Sequence, residues 1–328
     1  MASVDPPQSR SALSDNAGVD LIAGEQGAPW LDRAFTWVAQ GVALLTVAVL
    51  FWIGAVILDK ALPAIRQFGF GFLTSQEWDV GGLVFGALPY IYGTLVSSAI
   101  ALLLALPVGV SVALVTSENF LPRWVRTPLA FIVELIAAIP SVIVGLWGIF
   151  VFIPALQPIQ LWLNQNFGWV PLFSSTPYGS GMLAAGMILA IMIVPTIAAI
   201  SREVLLAMPV DLRTASMSLG ATRWETIFRV LLPTAASGIV GAAILGLGRA
   251  LGETMAVTMV IGNTPQISPS LLDTAYTIPA VLANEFAEAL DDLHVGALMY
   301  LALILFALTL TINVIAVFMV QVLSFRNQ

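Results

Sequence analysis

Apolar residues fall in six long runs that are separated by shorter polar connections. The runs cover residues 35–58, 94–116, 129–153, 182–200, 234–261 and 295–323. Each run is long enough to cross about 30 Å of hydrocarbon as a helix. The pattern predicts an all-α membrane protein with six transmembrane helices, and an even number of spans places both termini on the same side.

Basic residues are distributed unevenly between the two sides of these spans. Short cytoplasmic connections retain Lys and Arg, whereas exported ones lack them. One side has only Lys60 and Arg66, and the other has Arg10, Arg33, Arg123, Arg126, Arg202, Arg213, Arg223, Arg229 and Arg326. We therefore expect both termini to be cytoplasmic.

Composition supports this class, because 59% of the residues are hydrophobic and only 9% are charged. Residues 1–34 differ, being rich in Ser, Gly, Asp and Ala, and we expect a mobile cytoplasmic tail before a transmembrane domain of residues 35–328. The net charge of -7 argues against a nucleic-acid partner. The chain has no cysteine, which excludes disulfides and thiol chemistry.

Arg249 and Glu253 lie one helical turn apart inside the fifth apolar run. A charge at the centre of a membrane helix costs about 2.5 to 3.5 kcal/mol, so such residues usually face a cavity, an ion path or a partner charge. A guanidinium binds phosphate oxygens well, and Glu253 at i+4 can neutralise it when no anion is present. Gly248 and Gly252 form a row that permits close helix packing. A substrate path and a structural ion pair both remain open.

Glu134 is a second carboxylate within an apolar run, in the third predicted span. It is expected to pair with Arg249 or to line the same path. A position near the cytoplasmic end of that span leaves a helix cap or a backbone hydrogen bond as an equal alternative.

Lys60 is the only lysine and His294 the only histidine. A phosphate-binding loop of the GxxxxGK[ST] type is therefore excluded, since Lys60 follows Asp59 at the end of the first span. The sequence predicts no catalytic residue and no metal site, and His294 is expected to be a solvated histidine near Asp292 at the outer mouth of the last span.

Residues 201–232 form the longest cytoplasmic connection, and their pattern predicts two short helices along the membrane surface. Pro209 ends the preceding helix, Asp211 is placed to cap a helix that begins at Leu212, and Gly220 is placed to end it. Thr222 and Glu225 have the spacing of a capping box for the second helix. Arg213, Arg223 and Arg229 also fit a role as plain inside-positive anchors.

This loop resembles the cytoplasmic loop of ABC importer permeases, which has EAA, three residues, Gly, nine residues and IxLP. The matching positions are Thr214, Ala215, Ser216, Gly220 and the stretch 230–233 (VLLP). Thr214 stands where the family has glutamate. The resemblance implies a type I ABC importer permease fold, with a coupling helix that docks on a separate ATP-hydrolysing subunit. The implied coupling residues are Asp211, Arg213, Thr214, Ala215, Ser216 and Gly220.

Four further stretches resemble the phosphate permeases of this family, and the likeness extends over residues 85–325. They are residues 93–98 (GTLVSS), 134–141 (ELIAAIPS), 200–205 (ISREVL) and 248–257 (GRALGETMAV). The resemblance implies one half of a phosphate path through the bacterial inner membrane, with Arg249, Glu253 and Glu134 as path residues.

The same resemblance implies the partners: a homologous permease that completes a heterodimer, two ATP-binding subunits and a phosphate-binding protein on the outer face. It implies no cofactor in this chain, because ATP-Mg would be bound by the ATPase partners. A permease for sulfate or molybdate is the nearest alternative. An ion-coupled secondary transporter and a polytopic membrane enzyme stay open as other classes.

Overall fold

A computed structural model describes residues 29–118 and 120–325, and these residues form helices and connecting loops. Within them no β-strand occurs, only two isolated bridges. The helices are α1 (Pro29–Phe68), α2 (Leu88–Ser117), α3 (Arg123–Ala137), α4 (Ser141–Phe167), α5 (Met182–Leu206), α6 (Val210–Ser218), α7 (Arg223–Gly252), α8 (Met255–Val260), α9 (Ile278–Glu285) and α10 (Asp292–Phe325). Single turns lie at Gly71–Thr74 and Pro171–Phe173, and π-helical turns lie within α4 and α7 at Gly148–Phe152 and Ile227–Leu231.

The chain divides into two compact units, residues 1–55 and residues 56–328. In the first unit, residues 29–55 form the amino-terminal part of α1, whose large apolar side chains, such as Phe35 and Trp37, are exposed. A helix that is apolar on every side suits a membrane span. The tail predicted at residues 1–34 lies mostly outside the described residues, and the helix already begins at Pro29.

Six helices among the described residues are long and apolar enough to cross a membrane, which confirms the predicted number of spans. They are Arg33–Phe68, Leu88–Ser117, Ser141–Phe167, Met182–Leu206, Arg223–Gly252 and Asp292–Gln321. The predicted bounds of the third and fifth spans are wrong.

The third span begins at Ser141 rather than at residue 129, because the helix breaks before Pro140. Proline has no N–H to donate and disfavours helical backbone at the residue before it. Residues 123–137 therefore form a separate helix, α3, and the membrane span continues as α4 to Phe167.

The fifth span ends at Gly252 rather than at residue 261. Glu253 has extended backbone, with φ -70° and ψ 124°, and a new short helix, α8, begins at Met255. Glycine commonly ends a helix, and polar residues next to it commonly cap the following one, so Gly252, Glu253 and Thr254 favour this break.

Small residues allow α2 and α5 to pack closely at the centre of the second unit. A Cβ atom at Gly109 of α2 would lie 2.8 Å from Ile197 of α5, and a Cβ atom at Gly186 of α5 would lie 2.6 Å from Ile100 of α2. Close approach of this kind is the usual basis of helix packing in membranes. The two helices therefore form a tightly joined pair, and α7 packs against α5 through Gly246, whose Cβ would lie 2.9 Å from Ile197.

A separate buried cluster joins α2, α9, α10 and the loop before α9. It includes Phe85, Tyr90, Tyr276 and Leu298, all of which are buried. Burial raises the pKa of Tyr276, and nearby Glu285 adds to the increase, so its hydroxyl stays protonated at neutral pH.

Gly93 is the tightest point of this cluster, so Gly93→Ala should destabilise the protein. The added Cβ would lie 2.2 Å from the carbonyl oxygen of Tyr276, which is backbone and cannot simply rotate away. Overpacking of this kind costs about 1 to 3 kcal/mol. We expect the thermal midpoint of the detergent-solubilised protein to fall. Gly241→Ala is the matched control, because a Cβ there meets nothing within 4 Å, and its midpoint should stay level or rise. Equal midpoints for Gly93→Ala and the unmodified protein would contradict this reading.

Candidate functional site

Arg249 lies in the last turn of α7 and faces an apolar cleft of about 350 Å³. Its Nη1 donates a hydrogen bond of 3.3 Å to Oγ1 of Thr196 on α5. Apart from Arg249, the cleft is lined by the apolar residues Ile136, Ile139, Ile143, Val144, Trp147, Ile191 and Met192. Among the described residues, Arg249 forms no ion pair. A permanent positive charge in weakly polar surroundings attracts an anion far more strongly than it would in water.

Of the two alternatives left open for Arg249 and Glu253, the structural ion pair is not found among the described residues. The pairing at i+4 requires a continuous helix, and α7 ends at Gly252. The carboxylate of Glu253 instead turns towards α8, where its Oε1 accepts a hydrogen bond of 3.4 Å from the backbone N–H of Ala256. Glu253 thus caps the helix that follows it and leaves the guanidinium available.

Gly248 and Gly252 lie beside Arg249, but no other part of the described chain packs against them. A Cβ atom at either position would meet nothing within 4 Å. Among the described residues the glycine row therefore leaves an open surface next to the arginine, and its packing against a neighbouring helix stays a prediction.

Glu134 lies on α3, outside the helices that are long enough to span a membrane, and it does not pair with Arg249. Its carboxylate lies 3.7 Å from Nη1 of Arg202 on α5, with 58% of the Glu134 side chain exposed. Because the helix breaks before Pro140, Glu134 lies on α3 and not on the membrane-spanning helix α4. Glu134 thus lies beside a different arginine, one that the sequence placed only in a cytoplasmic connection.

Thr196 and Arg202 are the polar residues of this region that sequence reasoning missed. A threonine directly after Pro195, inside an otherwise apolar span, was an available signal for the first. Arg202 falls within α5 because that helix continues to Leu206, six residues past the predicted end of the span.

The loop of residues 201–232 forms a short helix, α6, and a glycine turn, as predicted. The prediction of a second, separate short helix is wrong, because the helix after the turn is the start of α7, which continues from Arg223 to Gly252. Gly220 has a φ of +88°, which favours glycine, and the capping box of Thr222 and Glu225 is present. The role predicted for Asp211 as a cap is wrong, since α6 begins at Val210 and Asp211 lies within its first turn. An acidic residue there still favours the amino-terminal end of the helix electrostatically.

The predicted coupling residues divide into an outward group and an inward group. Thr214 and Ala215 are exposed on α6, together with Leu219, which is 90% exposed. The hydroxyl groups of Ser216 and Thr226 form a hydrogen bond of 3.0 Å, which joins α6 to the start of α7. Arg213 points back into the protein, where 18% of its side chain is exposed.

Two aromatic residues extend the apolar surface of this loop. Trp224 and Phe228 are each 60% exposed, and their stacked rings lie 6.0 Å apart. In a membrane protein, exposed aromatic rings near the end of a span can be covered by a partner protein or by the membrane interface. With Leu219, these rings form a surface that a partner protein can cover, which we call the docking surface.

His294 lies in the first turn of α10 and is buried rather than solvated, so the prediction of a solvated histidine is wrong. Only 4% of it is exposed, and its ring stacks on Phe85 with centroids 5.3 Å apart. Its Nε2 lies 3.2 Å from the carboxylate of Glu285, which also accepts a hydrogen bond of 2.9 Å from Nε1 of Trp78. The predicted neighbour was Asp292, and the fold supplies Glu285 because α9 ends beside the start of α10. Among the described residues, no group of three or more His, Cys, Asp or Glu residues is arranged to hold a metal ion.

Relatives of this chain are known transport proteins. It is 43% identical over 301 residues to "Phosphate transport system permease protein PstC" of Mesorhizobium japonicum. The aligned residues cover 90% of this chain and 92% of the relative. It is 39% identical to the protein of the same name in Haemophilus influenzae, covering 89% of this chain and 93% of the relative.

Solved structures show the same fold at lower identity. The bacterial alginate ABC transporter, solved with a pentasaccharide-bound periplasmic protein, matches with a TM-score of 0.57 at 18% identity, over 87% of this chain and 95% of that one. The MetNI methionine ABC transporter in an inward-facing conformation matches with a TM-score of 0.51 at 22% identity, over 73% and 94% of the two chains.

The sequence model for the binding-protein-dependent transport system inner membrane component matches residues 105–328. This match covers more than half of the chain and includes the loop of residues 201–232 and the Arg249 cleft. The six spans, the helix–glycine–helix loop and the solved structures agree with it. The chain therefore belongs to the binding-protein-dependent transport system inner membrane component family, with the fold of the type I ABC importer permeases.

Proposed function

We propose that this chain is the permease subunit of an ATP-driven phosphate importer and forms half of the path that phosphate takes through the inner membrane. The observation that carries the proposal is Arg249, a guanidinium in an apolar cleft without an ion-pair partner among the described residues. The names of its relatives give the anion: they are phosphate transport permeases at 37% to 45% identity.

The energetics of import explain why such a protein needs an ATPase partner. Each negative charge that moves inward against an inside-negative potential costs about 2.3 kcal/mol per 100 mV, so a divalent phosphate faces about twice that cost. An open pore would release phosphate outwards. The docking surface around Leu219, Trp224 and Phe228 offers a place where an ATPase subunit can act on the membrane helices.

The proposed assembly pairs this chain with a homologous permease as a heterodimer, two ATP-binding subunits that hold ATP-Mg, and a phosphate-binding protein on the outer face. The open surface beside Gly248 and Gly252 fits a path lined by two permeases, because a single chain leaves that side of Arg249 uncovered. Both termini lie in the cytoplasm in this arrangement, and this chain carries no catalytic residue of its own.

Uptake of radiolabelled phosphate into proteoliposomes tests the proposal, with the purified complex, internal ATP and the binding protein outside. We expect uptake that requires ATP and is not inhibited by equimolar sulfate or molybdate. ATP-driven uptake of sulfate or molybdate instead would assign the chain to that alternative. Uptake that persists without ATP and follows a proton or sodium gradient would assign it to the secondary transporters.

Glu253→Gln separates the capping role of Glu253 from its predicted role in the path. An amide oxygen can still accept the hydrogen bond from Ala256, so phosphate uptake and thermal stability should stay close to those of the unmodified protein. Glu253→Leu removes the acceptor and should lower stability by about 1 kcal/mol. Uptake lost in Glu253→Gln, with the complex intact, would show that the charge of Glu253 is needed in the path.

A further inference from the structure

Arg213 joins three parts of the protein at the cytoplasmic end. It lies on α6, and its Nε and Nη2 donate hydrogen bonds of 3.0 Å and 2.8 Å to Oε1 of Glu118. Its Nη2 also donates to the carbonyl oxygen of Leu205 at 2.9 Å, and its Nη1 donates to that of Met208 at 3.3 Å. One guanidinium thus holds a carboxylate and two backbone carbonyls together.

Two of these contacts fall at the ends of long membrane helices, and the third, with Met208, falls in the connection between α5 and α6. Glu118 is the residue that ends α2, and its N–H donates to the carbonyl oxygen of Leu114. Leu205 lies in the last turn of α5, where carbonyl groups lack partners within the helix and a cation is favoured. Arg213 therefore connects α6 to the ends of both helices of the closely packed α2–α5 pair.

The joint is sheltered from water, which makes it stronger than an ordinary surface ion pair. The side chains of Arg213 and Glu118 are 18% and 17% exposed, and they lie over a buried apolar cluster that includes Ala113, Leu205 and Ile227. Exposed pairs contribute little because water screens them, whereas breaking a sheltered pair leaves an unpartnered charge. By comparison, Arg229 and Glu225 of the same loop lie 3.9 Å apart, with the Arg229 side chain 79% exposed.

The same helix that Arg213 holds also reaches the anion site. Thr196, which accepts the hydrogen bond from Arg249, lies nine residues before Leu205 on α5, or about 14 Å along the helix. A displacement of α6 therefore reaches α5 through Arg213 and passes along a rigid helix to the Arg249 cleft.

We infer that the Glu118–Arg213 pair is the joint that transmits movement of the docking surface to the α2–α5 helix pair, with Glu118 as its positioning residue. Glu118 lies outside the loop that resembles the family motif, in the connection between α2 and α3. The inference rests on the proposed function, because it requires an ATPase subunit that moves α6.

The test is the number of phosphate molecules transported per ATP hydrolysed by the complex in proteoliposomes. A purely structural role would lower the yield of assembled complex and leave this ratio unchanged. Glu118→Gln should assemble and hydrolyse ATP while the ratio falls on the order of tenfold, since the amide oxygen can still accept a hydrogen bond but the negative charge that holds the guanidinium is lost. Glu203→Gln is the matched control, since it removes one carboxylate that is exposed on the last turns of α5, and its ratio should equal that of the unmodified complex.

Two further variants keep the test decisive. Arg213→Lys keeps the charge but cannot reach Glu118, Leu205 and Met208 together, so its ratio should fall at least threefold. The double variant Glu118→Gln/Arg213→Gln should be no worse than Arg213→Gln alone, because residues that act as one pair have non-additive effects.

The inference would be overturned if Glu118→Gln and Arg213→Lys both transported as much phosphate per ATP as the unmodified complex. Failure of both variants to assemble would also overturn it. An unmodified complex that hydrolyses ATP and moves no phosphate would instead contradict the proposed function.

Discussion

Arg249→Lys should lower phosphate uptake by about ten- to a hundredfold while the complex still assembles. Lysine keeps the positive charge but loses the planar group that holds two phosphate oxygens through parallel hydrogen bonds. Hydrogen bonds to charged groups contribute about 1.5 to 3 kcal/mol, which corresponds to that range of rates. Among the residues that line the cleft, Arg249 is the only one with a charged group, so no other cation can replace the lost contact.

Initial rates of phosphate uptake into proteoliposomes measure this effect, and co-purification of the partner subunits shows whether the complex is intact. Arg66→Lys is the matched control, because it is the same substitution at an exposed position at the end of α1. Normal uptake by Arg249→Lys would remove the guanidinium from the mechanism and leave its charge alone as the relevant property. Normal uptake by Arg249→Gln as well would remove Arg249 altogether.

Gly220→Val should separate ATP hydrolysis from transport. Gly220 has a φ of +88°, and a side chain in left-handed backbone costs roughly 1 to 2 kcal/mol, more for a β-branched residue. A Cβ atom there would meet nothing within 4 Å, so the effect comes from the backbone and not from a clash. The turn that connects α6 to the start of α7 would change. Phosphate transported per ATP should therefore fall about five- to thirtyfold.

Gly220→Asn provides the control, because asparagine adopts left-handed backbone more readily than other residues with side chains. Gly220→Asn should retain most of the coupling, although it adds a side chain where the unmodified protein has none. Equal loss of coupling in the two variants would point to the side chain at the docking surface as the cause. Unchanged coupling in Gly220→Val would show that the turn has no part in transmission.

The two interruptions of the apolar runs show where sequence reasoning stops. Hydropathy averaged over residues 129–153 and 234–261 is continuously high, because each break involves only a few residues. Local backbone chemistry decides them, through Pro140 in one case and Gly252 with Glu253 in the other. These short signals carry little weight in a window of about twenty residues, yet they determine which carboxylates can reach which arginines.

His294 illustrates the same limit of prediction from local sequence. Its acidic neighbour in the sequence, Asp292, made a solvated position the natural expectation. The structure places it against Phe85 and Glu285, which come from other parts of the chain, and buries it. Burial of a single histidine depends on which segments meet, and a local pattern contains no information about that.

The sequence by itself determined the membrane class, the six spans, the loop with its glycine turn, and Arg249 as a charge that requires a reason. Each of these follows from local properties: the length of apolar runs, the backbone preference of glycine, and the cost of a charge in hydrocarbon. Only the tertiary structure decided which side chains lie next to one another. It placed Thr196 beside Arg249, Glu134 beside Arg202 and Glu118 beside Arg213, and it turned Glu253 away. Pairing between residues far apart in sequence depends on how helices break and pack. The proposed function depends on two results of that packing: Arg249 has no ion-pair partner among the described residues, and Arg213 is held by Glu118.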